Sequence, residues 1–411
     1  MTRFIRGGVW FVFLVIGLLG GQPGVAAPGP TPTVVSAPVT VFPLHNATGD
    51  AGLDWISVGL QDSLTVDLWY VSALQTKALP QMTETLGQVC PDPTLACVAG
   101  QNLATWQGQA KALGYAGFIW GEYRQDGNAL VVRLGWYDPH EERPLAERTV
   151  RGSSLPELLA AASEGLQGVL AARGIVVTDA ERVRMKAPKS RVVTAWEQNA
   201  LGYWEQIRYH LAAAAQRTAR AAVWEQHLRA AVQADPDYAE AWNNLGWRLF
   251  ILRNNLEAIH AFQKALRSKP EMISAQVGMG SALAEQGKVA DALPWFEQAV
   301  ALSPALIPHI EALTTLYLQL NQFEKAEKLL QNTLKNQEPK INPNSLEIAR
   351  IINRLAGVLK RQNRYQEAED LYRTRLPTTY PSPAYTARPA SNARANALTF
   401  CMPSQRALGP G

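Results

Sequence analysis

The sequence predicts two architectures in series: an α/β domain built on a mixed sheet with flanking helices, then an all-α solenoid of antiparallel helix pairs. Two observations carry this expectation. Through the second half, large apolar, small and proline positions return every 34 residues, the period of a stacked supersecondary unit. Ahead of them, β-branched runs alternate with stretches of helical period, as in a sheet covered by helices.

Residues 1–27 read as a bacterial secretory signal, with Arg3 and Arg6 first, an apolar run from Val9 to Leu19, and Val25-Ala26-Ala27 before Pro28. The run is short for a membrane span and is broken by Gly17, Gly20 and Gly21. Cleavage would leave a periplasmic or secreted protein; an uncleaved segment 7–21 is the alternative, an inner-membrane anchor and the one expected route to a membrane. Residues 28–33 are linker.

Residues 34–178 contain the expected α/β domain. Val39 to Leu44 has strand character, HNATGD is a turn, and a helix follows with Trp55, Val58, Leu64, Leu68 and Val71 on one side. A second helix covers Leu103 to Leu113 and stops at Gly114. Asp126-Gly127 supplies the positive backbone angle of a hairpin turn. A further strand near Ala146 to Val150 leads to a helix from Leu155 to Ala172. The expected order is strand, helix, strand, helix, three strands, helix. Asp54 is expected to cap the first helix through its free backbone donors. Cys90 and Cys97 bracket a short loop and are expected to form a disulfide in an oxidising compartment; their spacing fits neither a redox nor a zinc motif.

The solenoid is expected over residues 191–376. Its first regular repeat, 239–272, places Trp242, Leu245, Leu249 and Phe262 between helices, with Gly246, Ala258 and Ala265 where backbones approach and Pro270 as the terminator. Repeat 273–306 restates this with Gly280, Ala292, Phe296, Ala299 and Pro304. Repeat 307–340 keeps Leu313, Tyr317, Ala326 and Leu330 but carries Thr314 and Thr333 at small positions. Repeat 349–376 follows after an insertion around EPKINPNS, and residues 191–238 read as an irregular opening repeat with a long first helix. Residues 377–411 lose all helical period and are expected to be disordered. The last repeat breaks off near Arg375, as if a reading frame carrying further repeats were lost there.

These motifs resemble the tetratricopeptide repeat, and the run INRLAGVLKRQNRYQEAEDLYR is similar to its kinesin-light-chain type. The segments VFPLHNATGDAGLDWISVGLQDSL and ALGYAGFIWGEYRQDGNALVVRLGWYD resemble the TolB amino-terminal-like (FlgO-type) domain, through Asn46, Gly49, Asp50, Leu53, Asp54, Trp55, Gly59, Leu113, Gly114 and Gly121. The resemblance implies a module that often precedes tetratricopeptide repeats.

Chemistry is sparse. The six histidines are scattered without metal-ligand spacing, and no phosphate loop or nucleophile elbow occurs. The formal charge of +4 falls to −1 once the signal and tail arginines are set aside, which disfavours nucleic acid. No enzyme, cofactor or metal is expected. The expected function is that of an exported scaffold holding a protein or peptide in the solenoid groove. The groove is expected to be lined by Asn243, Asn244, Trp247, Phe250, Ile251, Ser281, Glu285, Glu311, Thr315 and Gln319. In the carboxylate clamp of chaperone-tail-binding relatives, Lys and Asn stand where Asn243 and Trp247 stand here, and Gly278 replaces a second Asn. Trp247 and Phe250 therefore imply a partly apolar ligand, unless both pack against the opening helices. The alternative function is sensory, with the α/β domain binding a small ligand and the repeats relaying it.

Overall fold

The structure, a computed structural model, describes residues 38–71, 73–74, 85–90, 94–186, 189–304, 306–337 and 346–375. The expected signal, linker and tail, and the insertion before the last repeat, lie outside these residues. No described helix is long and apolar enough to cross a membrane.

An N-terminal mixed sheet with flanking helices opens the fold. Its strands are β1 (Val39–Val41), β2 (His45–Asn46), β3 (Gly117–Asp126), β4 (Ala129–Tyr137) and β5 (Ala146–Gly152), in the order β1-β3-β4-β5 with β2 also paired to β3. β1 runs parallel to β3, placing Val39 opposite Gly117, whereas β3, β4 and β5 form an antiparallel meander. Gly127, at φ 61°, makes the expected hairpin turn. Helices α1 (Trp55–Trp69), α2 (Leu95–Ala99), α3 (Leu103–Ala112), α4 (Leu155–Ala172) and α5 (Asp179–Met185) complete this part.

Two local expectations need correction. The short β2 lies inside the segment expected to be only a turn, and the strand expected between α1 and α3 falls on a stretch of which residues 72, 75–84 and 91–93 lie outside the described ones. Asp54 does not cap α1 with its side chain: a 3₁₀ turn at Ala51–Leu53 feeds the helix directly, so Asp54 already has helical angles. Its carboxylate instead accepts from Asn46 Nδ2 at 2.7 Å, while Asp50 caps the 3₁₀ turn through Gly52 N at 2.8 Å.

Ten helices follow as antiparallel pairs: α6 (Val193–Leu211) with α7 (Ala214–Ala234), α8 (Ala239–Ile251) with α9 (Asn255–Ser268), and α10 (Ile273–Glu285) with α11 (Val289–Leu302). The remaining pairs are α12 (Ile307–Gln319) with α13 (Phe323–Gln337), and α14 (Leu346–Arg361) with α15 (Tyr365–Arg375). The turn inside each regular pair uses one left-handed residue: Arg253, Gly287, Asn321 and Asn363. Those positions repeat the sequence period, including its longer last step.

Phe262 explains why the period demands small residues. A Cβ at Gly246 would lie 2.6 Å from its ring, and one at Gly278 in the next repeat would overlap it. The ring is thus clasped between α8 and α10, and Phe296 stands in the same way against Gly280. One continuous apolar core runs from Val39 in β1 to Val358 in α14.

Candidate partner interface

The first helix of each pair (α6, α8, α10, α12 and α14) contributes the face on which a groove ligand is expected. At its start this face is covered by the chain itself. α1 is buried on all sides, enclosing Ile56, Leu60 and Leu64 and also Trp55, Val58 and Gly59. One side meets the sheet and α4; the other packs on α6. Trp55 meets Trp196 edge to face at 4.9 Å, and a Cβ at Gly59 would lie 3.1 Å from the Ala200 Cβ.

Where α1 passes over α8 and the start of α10, a cavity of about 20 Å³ remains, lined by Asp62, Tyr70, Glu240, Asn243, Asn244 and Ser274 among others. It has room for about one water. Asn244 donates to the Asn199 side chain at 3.0 Å, and Asn243 donates to Asn244 at 3.2 Å. Lys269 pairs with Glu240 at 3.3 Å and lies over the Tyr70 ring at 5.3 Å. Beneath them, the buried Asp67 accepts from Lys189 at 2.9 Å and from Ser163 at 2.5 Å, tying the segment before α6 into the α/β domain.

Charges in this network are displaced from their usual protonation range. Enclosure pushes the Asp62 carboxyl up to about 7; Glu240 adds to the rise, and Lys189 with hydrogen bonds from Asn199 and Asn244 oppose it. Burial raises the Tyr70 phenol to about 12 against the pull of Lys269. Burial alone would lower the Lys269 ammonium, but Glu240, Tyr70 and Asp67 outweigh it and raise it.

The expected groove residues meet different surroundings along the array. Asn243 and Asn244 lie under α1. Phe250 is buried, 2 % exposed, while the half-buried Trp247 donates to Ser274 Oγ at 2.8 Å and meets both Phe250 and Phe262 edge to face. Their contacts join the first regular repeat to the second, a third destination beside ligand and opening helices. Ile251 is half-buried beside them.

Farther along, Ser281 is buried, and the Glu285 side chain is taken by Arg253 and by Asn255 Nδ2 at 3.1 Å. Glu311 is buried and receives Arg350 in two-pronged geometry, Nε at 3.0 Å and Nη2 at 2.5 Å. Thr315 donates to the Glu311 carbonyl at 2.9 Å, and Gln319 is exposed. Burial of the acids follows from their use as bridges between successive repeats, which spacing alone does not reveal.

Cys90 and Cys97 form a disulfide. Among the described residues, no group of three or more His, Cys, Asp or Glu is arranged to hold a metal. The polar network under α1 was missed by sequence reasoning; its available signal was Asp62 and Asp67 within an otherwise apolar helix.

Residues 245–307 and 311–378 match sequence models of the tetratricopeptide repeat family. No curated protein matches the chain. Solved structures similar to it include a MamA protein, 16% identical, covering 44% of this chain and 88% of that one with a TM-score of 0.36. MamA 41-end from Desulfovibrio magneticus RS-1 is 18% identical, with 45% and 94% covered and a TM-score of 0.36. Pseudomonas aeruginosa PilF is 15% identical, with 52% and 83% covered and a TM-score of 0.34.

Proposed function

We propose that this chain is an exported, non-enzymatic scaffold that holds a protein or peptide partner on the first-helix face of its later repeats. The observation that carries the reading is the helical-repeat array itself: matched tetratricopeptide repeats form interaction modules by stacking preformed helices, which lowers the ordering cost of binding. The α/β domain, read as TolB-amino-terminal-like, serves as the lid of the array. Its α1 occupies the opening and first regular repeats, so the partner's place begins beyond them, toward Thr315 and Gln319 on α12. The signal-like residues 1–27 and the Cys90–Cys97 disulfide support an oxidising compartment outside the cytoplasm.

Site-specific photocrosslinking in living cells tests the reading. A photoreactive residue at the exposed Gln319 is expected to capture one discrete protein, and the same residue at the exposed Lys328 on α13 is expected to capture none. Equal capture at both positions, or at neither, contradicts the assignment.

A further inference from the structure

The polar network under α1 is one positive charge short. Among the described residues three carboxylates, Asp62, Asp67 and Glu240, face two ammonium groups, Lys189 and Lys269. Lys189 is hydrogen-bonded to Asp67, and Lys269 to one oxygen of Glu240. Three acceptors of the network, Glu240 Oε2, Asn243 Oδ1 and Asp67 Oδ1, have no donor from the protein, and the cavity beside Glu240 and Asn243 is large enough for a water to donate to both. The charge deficit remains, and a single hydrogen ion meets it.

We propose that the seat of α1 binds one proton, carried on Asp62 and shared toward Glu240 across the cavity, so that seating of the α/β domain on the repeats is proton-linked. The surrounding groups favour this placement. α6 presents Asn199 and the buried phenol of Tyr203, α8 presents Glu240 and Asn244, and the Tyr238 phenol lies just before it. Lys189 reaches Asp62 from the segment before α6, and Lys269 stands beyond Glu240. On α1 itself, Asp67 and Tyr70 lie one to two turns on, with Asp67 already paired. No imidazole is among these neighbours, so Asp62 is the group that titrates near neutrality.

The direction follows from linkage. An acid whose docked pKa lies near 7 and whose free value is 3.8 holds its proton better when docked. Docking is then strongest below the free value and weakens as pH rises to about 7, above which the loss levels off.

Carbon-13 NMR of the full chain labelled at aspartate carboxyls tests this directly. One resonance is expected to titrate near pH 7, to vanish in Asp62→Asn, and to move to lower pH in Glu240→Gln. Should Asp62→Asn fail to fold, Asp62→Glu makes the assignment by displacing the same resonance. In urea titrations the unfolding constant of the native chain is expected to rise at least about tenfold relative to Asp62→Asn between pH 5 and pH 8. The proposal is overturned if no aspartate titrates above about pH 5, or if the midpoint ignores Glu240→Gln. It is also overturned if replacing sodium by choline moves the curve, since a bound metal cation would then fill the deficit.

Discussion

Trp55 of the α/β domain and Trp196 of the first solenoid helix meet edge to face with ring centroids 4.9 Å apart. The contact makes one molecule of two sequence-level parts. A solenoid end normally needs a polar cap, and here a folded domain covers it by laying the buried helix α1 against α6. The scaffold is thereby closed at one end and directional.

Trp196 is 2 % exposed, and its truncation leaves a hole between the two parts. Trp196→Ala is expected to destabilise the chain by about 3–5 kcal/mol, read from the urea midpoint. A loss below about 1 kcal/mol would mean that the interface carries little of the stability.

The Phe262 clasp gives a sharper steric test. A side chain at Gly278 would overlap the Phe262 ring. Gly278→Asn is expected to cost at least about 1–3 kcal/mol through overpacking, with reduced protection of α8 and α10 in hydrogen exchange. Unchanged protection would place Phe262 elsewhere.

Glu311 and Arg350 bridge the third and fourth regular repeats across the insertion. The Glu311 side chain is 2 % exposed, whereas that of Arg350 is 34 % exposed and keeps access to water when its partner is lost. Glu311→Ala is therefore expected to cost about 1.5–3 kcal/mol, at the level of a charged hydrogen bond. The loss should concentrate in faster hydrogen exchange of α14 and α15.

The Cys90–Cys97 disulfide closes a small loop onto α2, which packs on α1 and β2. Replacing both by Ser is expected to lower stability by about 2–3 kcal/mol, as chain-entropy arguments give for so short a loop. Equal stability of the native chain with and without a reductant would contradict this.

Much of the architecture was legible from residue spacing, because helical pairs obey a period that local chemistry enforces. Gly246, Phe262 and Pro270 identify a pair without knowledge of its neighbours. The hairpin at Asp126-Gly127 and the helix from Leu155 were legible for the same local reason. Exposure was not. Periodicity says which side of a helix a residue occupies, but not what a distant segment lays upon that side. The spacing therefore places Asn243 and Asn244 on the groove face that α1 covers, and leaves Trp247 and Phe250 open to a ligand or to the opening helices, whereas their contacts join repeats. Asp54 was misassigned because a 3₁₀ turn ahead of α1 supplies the helical backbone that a cap would otherwise begin.

The seating of α1 on α6 is tested most directly by a cysteine pair at Gly59 and Ala200, in the full chain with Cys401 replaced by Ser. A Cβ at position 59 would lie 3.1 Å from that of Ala200, close enough for a disulfide after a slight local shift. We expect Gly59→Cys with Ala200→Cys to link in air, giving a peptide that joins positions 59 and 200 in mass spectrometry while Cys90 remains bonded to Cys97. Two free thiols at those positions in a folded protein would contradict the docked arrangement and, with it, the directional scaffold.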